Sequence, residues 1–223
     1  MSRLWLALTG IFILLASCST PPSVSDSTPA AQPEASPETT WLEGETAGVE
    51  IGLWKPAGWN ADTHGGLLLS EQVADTNTQP YPIIRGVVVS FFCPNLEIFE
   101  HQSDSPHVAM DIMDQAVALP HVRAVSVAIS DPGPFDWNGH DAAYYLLTGH
   151  GEMRTLGIGI YLPERDKLLA MNISMPEQEA GRVRAMLSGI FSDFQVEGVV
   201  LGGEALNQLP QPLVFPTGSN DQK

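Results

Sequence analysis

Cysteine, cationic side chains and spaced catalytic signatures are all scarce in this chain of 223 residues. Its two cysteines, Cys18 and Cys93, leave no framework of disulfides, so any folded part has to be held by a hydrophobic core. Ten Lys and Arg stand against 26 Asp and Glu, a formal net charge of -16. A surface for nucleic acid needs clustered cations, which excludes that partner, and the same deficit argues against electrostatic adhesion to anionic lipid. The acidic excess reads as a solubility device. There is no H-E-x-x-H, no G-x-S-x-G elbow, no Walker loop and no G-x-G-x-x-G run. The six histidines, at 64, 101, 107, 121, 140 and 150, include no pair at i, i+4. The chain is therefore read as a non-enzyme that needs no cofactor.

What is present begins at the N-terminus, where MSRLWLALTGIFILLAS carries Arg3 as its only charge, then an apolar stretch, then two small residues. The run from Leu4 to Leu15 is shorter than the roughly 20 apolar residues that a membrane span requires, so residues 1–17 read as a signal peptide. Leu15-Ala16-Ser17-Cys18 resembles the lipobox of bacterial lipoproteins, which implies cleavage just before Cys18 and a diacylglyceryl group on its sulfur. Two or more acyl chains hold a protein firmly on a membrane surface, while one gives only marginal binding. The expected location is the extracytoplasmic face of a cell membrane or outer membrane. A plain secretory signal and an uncleaved anchor helix are the alternatives. Residues 18–40 follow as a linker, with five prolines and no aromatic side chain between Ser19 and Thr40. Such a segment cannot build a core.

Composition changes at Trp41, and residues 41–202 are dense enough in Val, Ile, Leu and Phe for one domain. Alternation predicts strands at 48–55, 65–73 and 83–92, then a helix opened by Ser105-Pro106 and stopped by Pro120. Further strands are predicted at 122–130, 140–148, 154–162 and 167–174, with a turn-rich loop at 131–139. Ser174 and Glu177 have the spacing of a capping box. The helix after them presents Ala180, Val183, Leu187, Ile190, Phe191 and Phe194 as one apolar face. Residues 203–223 read as a tail on the surface or without order. The fold class is α+β, an antiparallel sheet of about six to seven strands flanked by helices.

Three stretches carry a family resemblance. GLWKPAGW runs an apolar strand into Pro and Gly-Trp, WNGHDAAYYLLT sets a glycine before a small-residue strand, and LLAMNISMPEQEAGRVRAMLSGIFSDFQV closes on a strand and a helix. Their order resembles the PsbP-like family over most of Val49 to Val196. The resemblance implies an α/β/α sandwich and an accessory or binding role with no reaction. The basic residues that members of that family turn toward acidic partners are scarce here.

The remaining candidates are individual side chains. Trp54, Trp59 and Trp137 are candidates for contact with a protein partner, because Trp is enriched at binding hot spots, with core packing as the alternative. Cys93 ends an apolar run and reads as a buried hydrophobe, or as a nucleophile if the fold brings a histidine to it. Asp131, Asp136, Asn138 and Asp141 crowd one loop, and oxygen ligands at such spacing suit either a calcium ion or a set of turns. The leading functional reading is a lipid-anchored binding or assembly module for a protein partner. The alternative is a hydrolase or a solute- or metal-binding protein that uses Cys93 or the Asp131 to Asp141 loop.

Overall fold

Residues 153–162 alternate in sequence, yet every side chain from Thr155 to Leu162 is buried, which requires cover on both faces of the strand. Strand β9 (Met153–Leu162) lies at the middle of a sheet with that cover. The computed structural model of the chain describes residues 39–64, 66–72 and 85–218. The signal-like stretch, Cys18 and the linker up to residue 38 lie outside the described residues.

Chain order runs β1 (Thr40–Thr46), β2 (Val49–Lys55), β3 (Asn60–Asp62), β4 (Leu68–Ser70) and β5 (Val88–Phe92), then α1 (Val108–Ala118) and α2 (Pro120–Val125). It continues through β6 (Ser126–Ile129), β7 (Gly133–Trp137), β8 (His140–Gly149), β9, β10 (Lys167–Pro176), α3 (Ala180–Ile190), β11 (Gln195–Val196) and β12 (Val199–Val200). Every strand pairing is antiparallel. The large sheet has eight strands in the order β3-β4-β5-β10-β9-β8-β6, with β7 also on β8. The fold class is α+β, as the pattern of elements predicts. The second sheet, β1-β2-β11-β12, goes beyond the expected six to seven strands.

Two cores result. On one face of the large sheet, Leu156, Ile158, Ile160, Leu169, Met171 and Ile173 meet α3 and the inner side of β2. On the other, Ala143, Tyr145, Tyr161, Leu168 and Ala170 meet α1 and the turn at Leu96–Ile98. Gly157 and Gly159 explain how closely the second layer approaches. A Cβ on Gly157 would stand 2.3 Å from the Tyr145 ring, and one on Gly159 would stand 3.1 Å from Met113 Sδ. These glycines do mark close packing.

Several local expectations are corrected. Strand β1 was missing from the prediction; it joins β2 through Ala47 and Gly48, both at positive φ, the geometry of a type I′ hairpin turn. Residues 131–139 are not one loop, because Asn138-Gly139 forms the same kind of turn between β7 and β8. Pro120 ends α1 but opens α2, where its missing N–H costs nothing at the first helical position, so the strand expected at 122–130 shrinks to β6. The capping box does not form, since Ser174 stays in β10 and its hydroxyl pairs with Thr155 Oγ1 at 3.0 Å. The described part of the tail is not a surface strand of polar chain: Ala205, Leu206 and Leu209 are buried. Arg184 of α3 donates to the carbonyls of Leu206, Leu209 and Pro210, each at 2.9 Å.

Val183, Leu187 and Ile190 are buried as the helical stripe predicts. Leu187→Ala should cost about 2–5 kcal/mol in denaturant unfolding by leaving a cavity, and a loss under about 0.5 kcal/mol would place that face outside the core. Truncation after Gly203 removes Leu206 and Leu209 and should cost at least about 3 kcal/mol by the same measurement.

Candidate functional site

The outer side of the four-stranded sheet is built by strand alternation. Val49, Ile51 and Leu53 of β2 point into the core, which leaves Glu50, Gly52 and Trp54 on the other side. Register places Trp41 opposite Trp54, Glu43 opposite Gly52 and Glu45 opposite Glu50. The Trp41 ring lies on Gly52, where a Cβ would come within 2.5 Å of it. The two indoles meet edge to face at 5.2 Å. Trp54 Nε1 donates to Asp193 Oδ2 at 2.7 Å, and Trp41 Nε1 donates to Glu43 Oε1 at 3.1 Å. Both rings are half-buried, while Glu43, Glu45 and Glu50 are exposed beside them. Val200, paired with Gln195 next to Gly52, is 53% exposed on the same side. The result is an aromatic pair framed by carboxylates.

Among the described tryptophans, Trp59 and Trp137 do not join it. Trp137 is wholly buried and Trp59 nearly so, so neither has a surface to offer a partner. Trp137 packs on Phe135, Phe191 and Phe194 and donates from Nε1 to the Gly202 carbonyl at 2.8 Å. Trp41, which no sequence pattern marked, stands beside Trp54 instead; its signal lay in the alternation Trp41, Glu43, Glu45.

Cys93 lines an open cavity of about 1520 Å³ together with His101, Asp111, Asp131, Asp166 and Lys167. The chemistry there is quiet. The thiol is half-buried with Thr46 O at 3.6 Å, and burial pushes its pKa up, with Lys167 opposing and Glu197 reinforcing that shift. Both ring nitrogens of His101 face acceptors, Nδ1 toward Phe99 O at 3.3 Å and Nε2 toward Asp166 Oδ1 at 3.2 Å. Both nitrogens are turned to these groups rather than to the thiol. Tyr161 also donates to Asp166 Oδ1, at 2.8 Å, and with His101 holds that carboxyl below its ordinary value. Lys167 Nζ is engaged by the Ala47 carbonyl.

Asp136 and Asp141 of the 131–141 stretch serve separate local jobs. Asp136 Oδ1 accepts from Gly139 N at 2.8 Å inside the hairpin turn. Asp141 Oδ2 accepts from Ala109 N at 2.7 Å, satisfying a first-turn N–H of α1, and burial raises its pKa. Asn138 Nδ2 reaches Val200 O at 3.4 Å. Among the described residues no group of three or more His, Cys, Asp or Glu is placed to hold a metal ion. No described helix is long and apolar enough to cross a membrane.

No family model and no curated protein matches the chain. Among solved structures it is similar to the solution structure of cyanobacterial PsbP (CyanoP) from Synechocystis sp. PCC 6803. The identity is 15%, over 76% of this chain and 98% of that one, with a TM-score of 0.43.

Alkylation tests the state of Cys93. With its thiol pKa raised, the native protein should react with iodoacetamide at pH 7.5 more slowly than the unfolded chain, and the rate should climb as pH rises above the ordinary thiol range. A native rate that exceeds the unfolded one and stays flat from pH 6 to 8 would mean an activated thiolate.

Proposed function

We propose that this chain is a non-catalytic binding or assembly module, held by lipid at Cys18 on the extracytoplasmic side of a membrane, that docks a protein partner on the Trp41–Trp54 face. The observation that carries this reading is the half-exposed indole pair framed by Glu43, Glu45 and Glu50. Indoles at that exposure offer large apolar area and ring faces that attract Arg or Lys, and the carboxylates favour the same cations. The partner surface is therefore basic. The quiet surroundings of Cys93 and His101 support the absence of a reaction, and the net charge of -16 supports selectivity for a cationic partner.

Crosslinking and affinity capture from native membranes test both halves. Cys18→Ala should release the protein from the membrane fraction and abolish incorporation of labelled fatty acid; retention without label in the wild type would overturn the anchor. Trp54→Ala should weaken partner binding by about 30-fold, the loss expected for a Trp hot spot near 2 kcal/mol, while the protein stays folded. Raising the salt concentration should weaken capture further. Full capture by a folded Trp54→Ala protein would move the contact elsewhere.

A further inference from the structure

The face of the large sheet that carries α1 is only partly covered. With 11 residues, α1 is about 16 Å long, whereas the ten-residue strands β9 and β10 run about 33 Å. Beyond α1 the chain re-enters helix at Pro120, and none of the residues of α2 is buried: Val122 is half-buried and Val125 is 42% exposed. The short helix stands off the sheet. Between it and the strands lies a cavity of about 670 Å³, in the range of small-molecule sites.

The walls are Phe92, Ile98, Met113, Ala116, Val122 and Val125. No Asp, Glu, Lys or Arg lines the cavity, in a chain otherwise rich in carboxylates; His121 and Tyr145 are its ionisable groups. At the mouth, Phe92 and Ile98 are 41% and 63% exposed, so apolar surface there faces water when nothing is bound.

The floor holds two polar pairs. Thr155 and Ser174 satisfy each other at 3.0 Å, and Tyr145 Oη donates to Asn172 Oδ1 at 3.2 Å. Burial raises the Tyr145 pKa, which keeps that hydroxyl protonated. With Oδ1 accepting from Tyr145, the Asn172 Nδ2 group makes no hydrogen bond to the described residues. No described side-chain polar atom is both buried and without a partner, so Nδ2 is accessible at the cavity it lines. Among the described residues it is a donor without a partner, in a cavity lined mainly by apolar side chains.

We propose that this cavity binds a neutral, largely apolar small molecule bearing a ketone or ester carbonyl, whose oxygen accepts from Asn172 Nδ2. An ionised ligand finds no Asp, Glu, Lys or Arg in the lining to pair with, and the cost of stripping water from it disfavours it. A pure hydrocarbon leaves the amide donor unpaired, which selects for the carbonyl.

The test is a titration of the full chain with prodan, a neutral naphthalene ketone whose emission shifts to the blue in apolar surroundings. One saturable site per chain is expected. Methyl dodecanoate should displace the probe, and the dodecanoate anion at pH 8 should not. Ala116→Trp, which fills the cavity from α1, should weaken binding at least tenfold; Val122→Trp does the same from α2 if the first variant fails to fold. Asn172→Leu should weaken prodan severalfold while sparing N-phenyl-1-naphthylamine, which has no carbonyl. No saturable shift in the wild type, or undiminished binding in a folded cavity-filling variant, overturns the site. Displacement by the anion, or equal effects of Asn172→Leu on the two probes, overturns the ligand class.

Discussion

The buried indole of Trp137 is the contact on which the rest of the domain depends. It ends β7, where the Asn138-Gly139 turn aims the chain back into β8, and it meets Phe135, Phe191 and Phe194 at ring distances of 5.5 to 5.9 Å. Phe91 of β5 packs on two of these, Phe191 and Phe194. One sheet, the end of α3 and the return toward the second sheet are thereby fixed around a single aromatic cluster. Each such pair adds about 0.5–1.5 kcal/mol beyond the area it buries, provided the indole N–H is satisfied. The Gly202 carbonyl satisfies it, which ties the chain after β12 to the same cluster.

The two faces of the large sheet solve the packing problem differently. Toward α3 the strands carry branched and long apolar side chains, and the core is thick. Toward α1 they carry Gly157, Gly159, Ala143 and Ala170, so the helix settles close and Tyr145 lies flat across a neighbouring strand. A helix that settles close and is also short cannot cover the strand ends. The polar residues Asn172, Thr155 and Ser174 line the space left uncovered, and the cavity on this side follows from that shortage of helix.

The strands at 154–162 and 167–174 and the stripe Val183, Leu187, Ile190 were legible in the sequence because each is a dense apolar segment bounded by turn or cap residues, although the strand pattern did not show that both faces are covered. Strand β1 was not, because its inward set, Leu42, Gly44 and Thr46, is too weakly apolar to register, and its outward set holds Trp41. The same blindness affected the tryptophans: composition cannot tell Trp137, buried behind a hairpin turn, from Trp54, half-exposed on a sheet. The Asn138-Gly139 dipeptide was a readable hairpin signal that the surrounding prolines and aspartates disguised as loop. For Cys93 and His101, the distances that silence them come from residues far apart in the chain, Thr46, Phe99 and Asp166, which no local spacing contains.

The C-terminal segment is held from several sides. Arg184 grips three of its carbonyls, Thr148 Oγ1 donates to the Pro216 carbonyl at 2.6 Å, and Leu206 and Leu209 complete the thicker core. The thicker core is therefore closed only when residues 204–216 are in place. A protease that nicks the chain between α3 and Leu206 would loosen that core and not merely trim the surface.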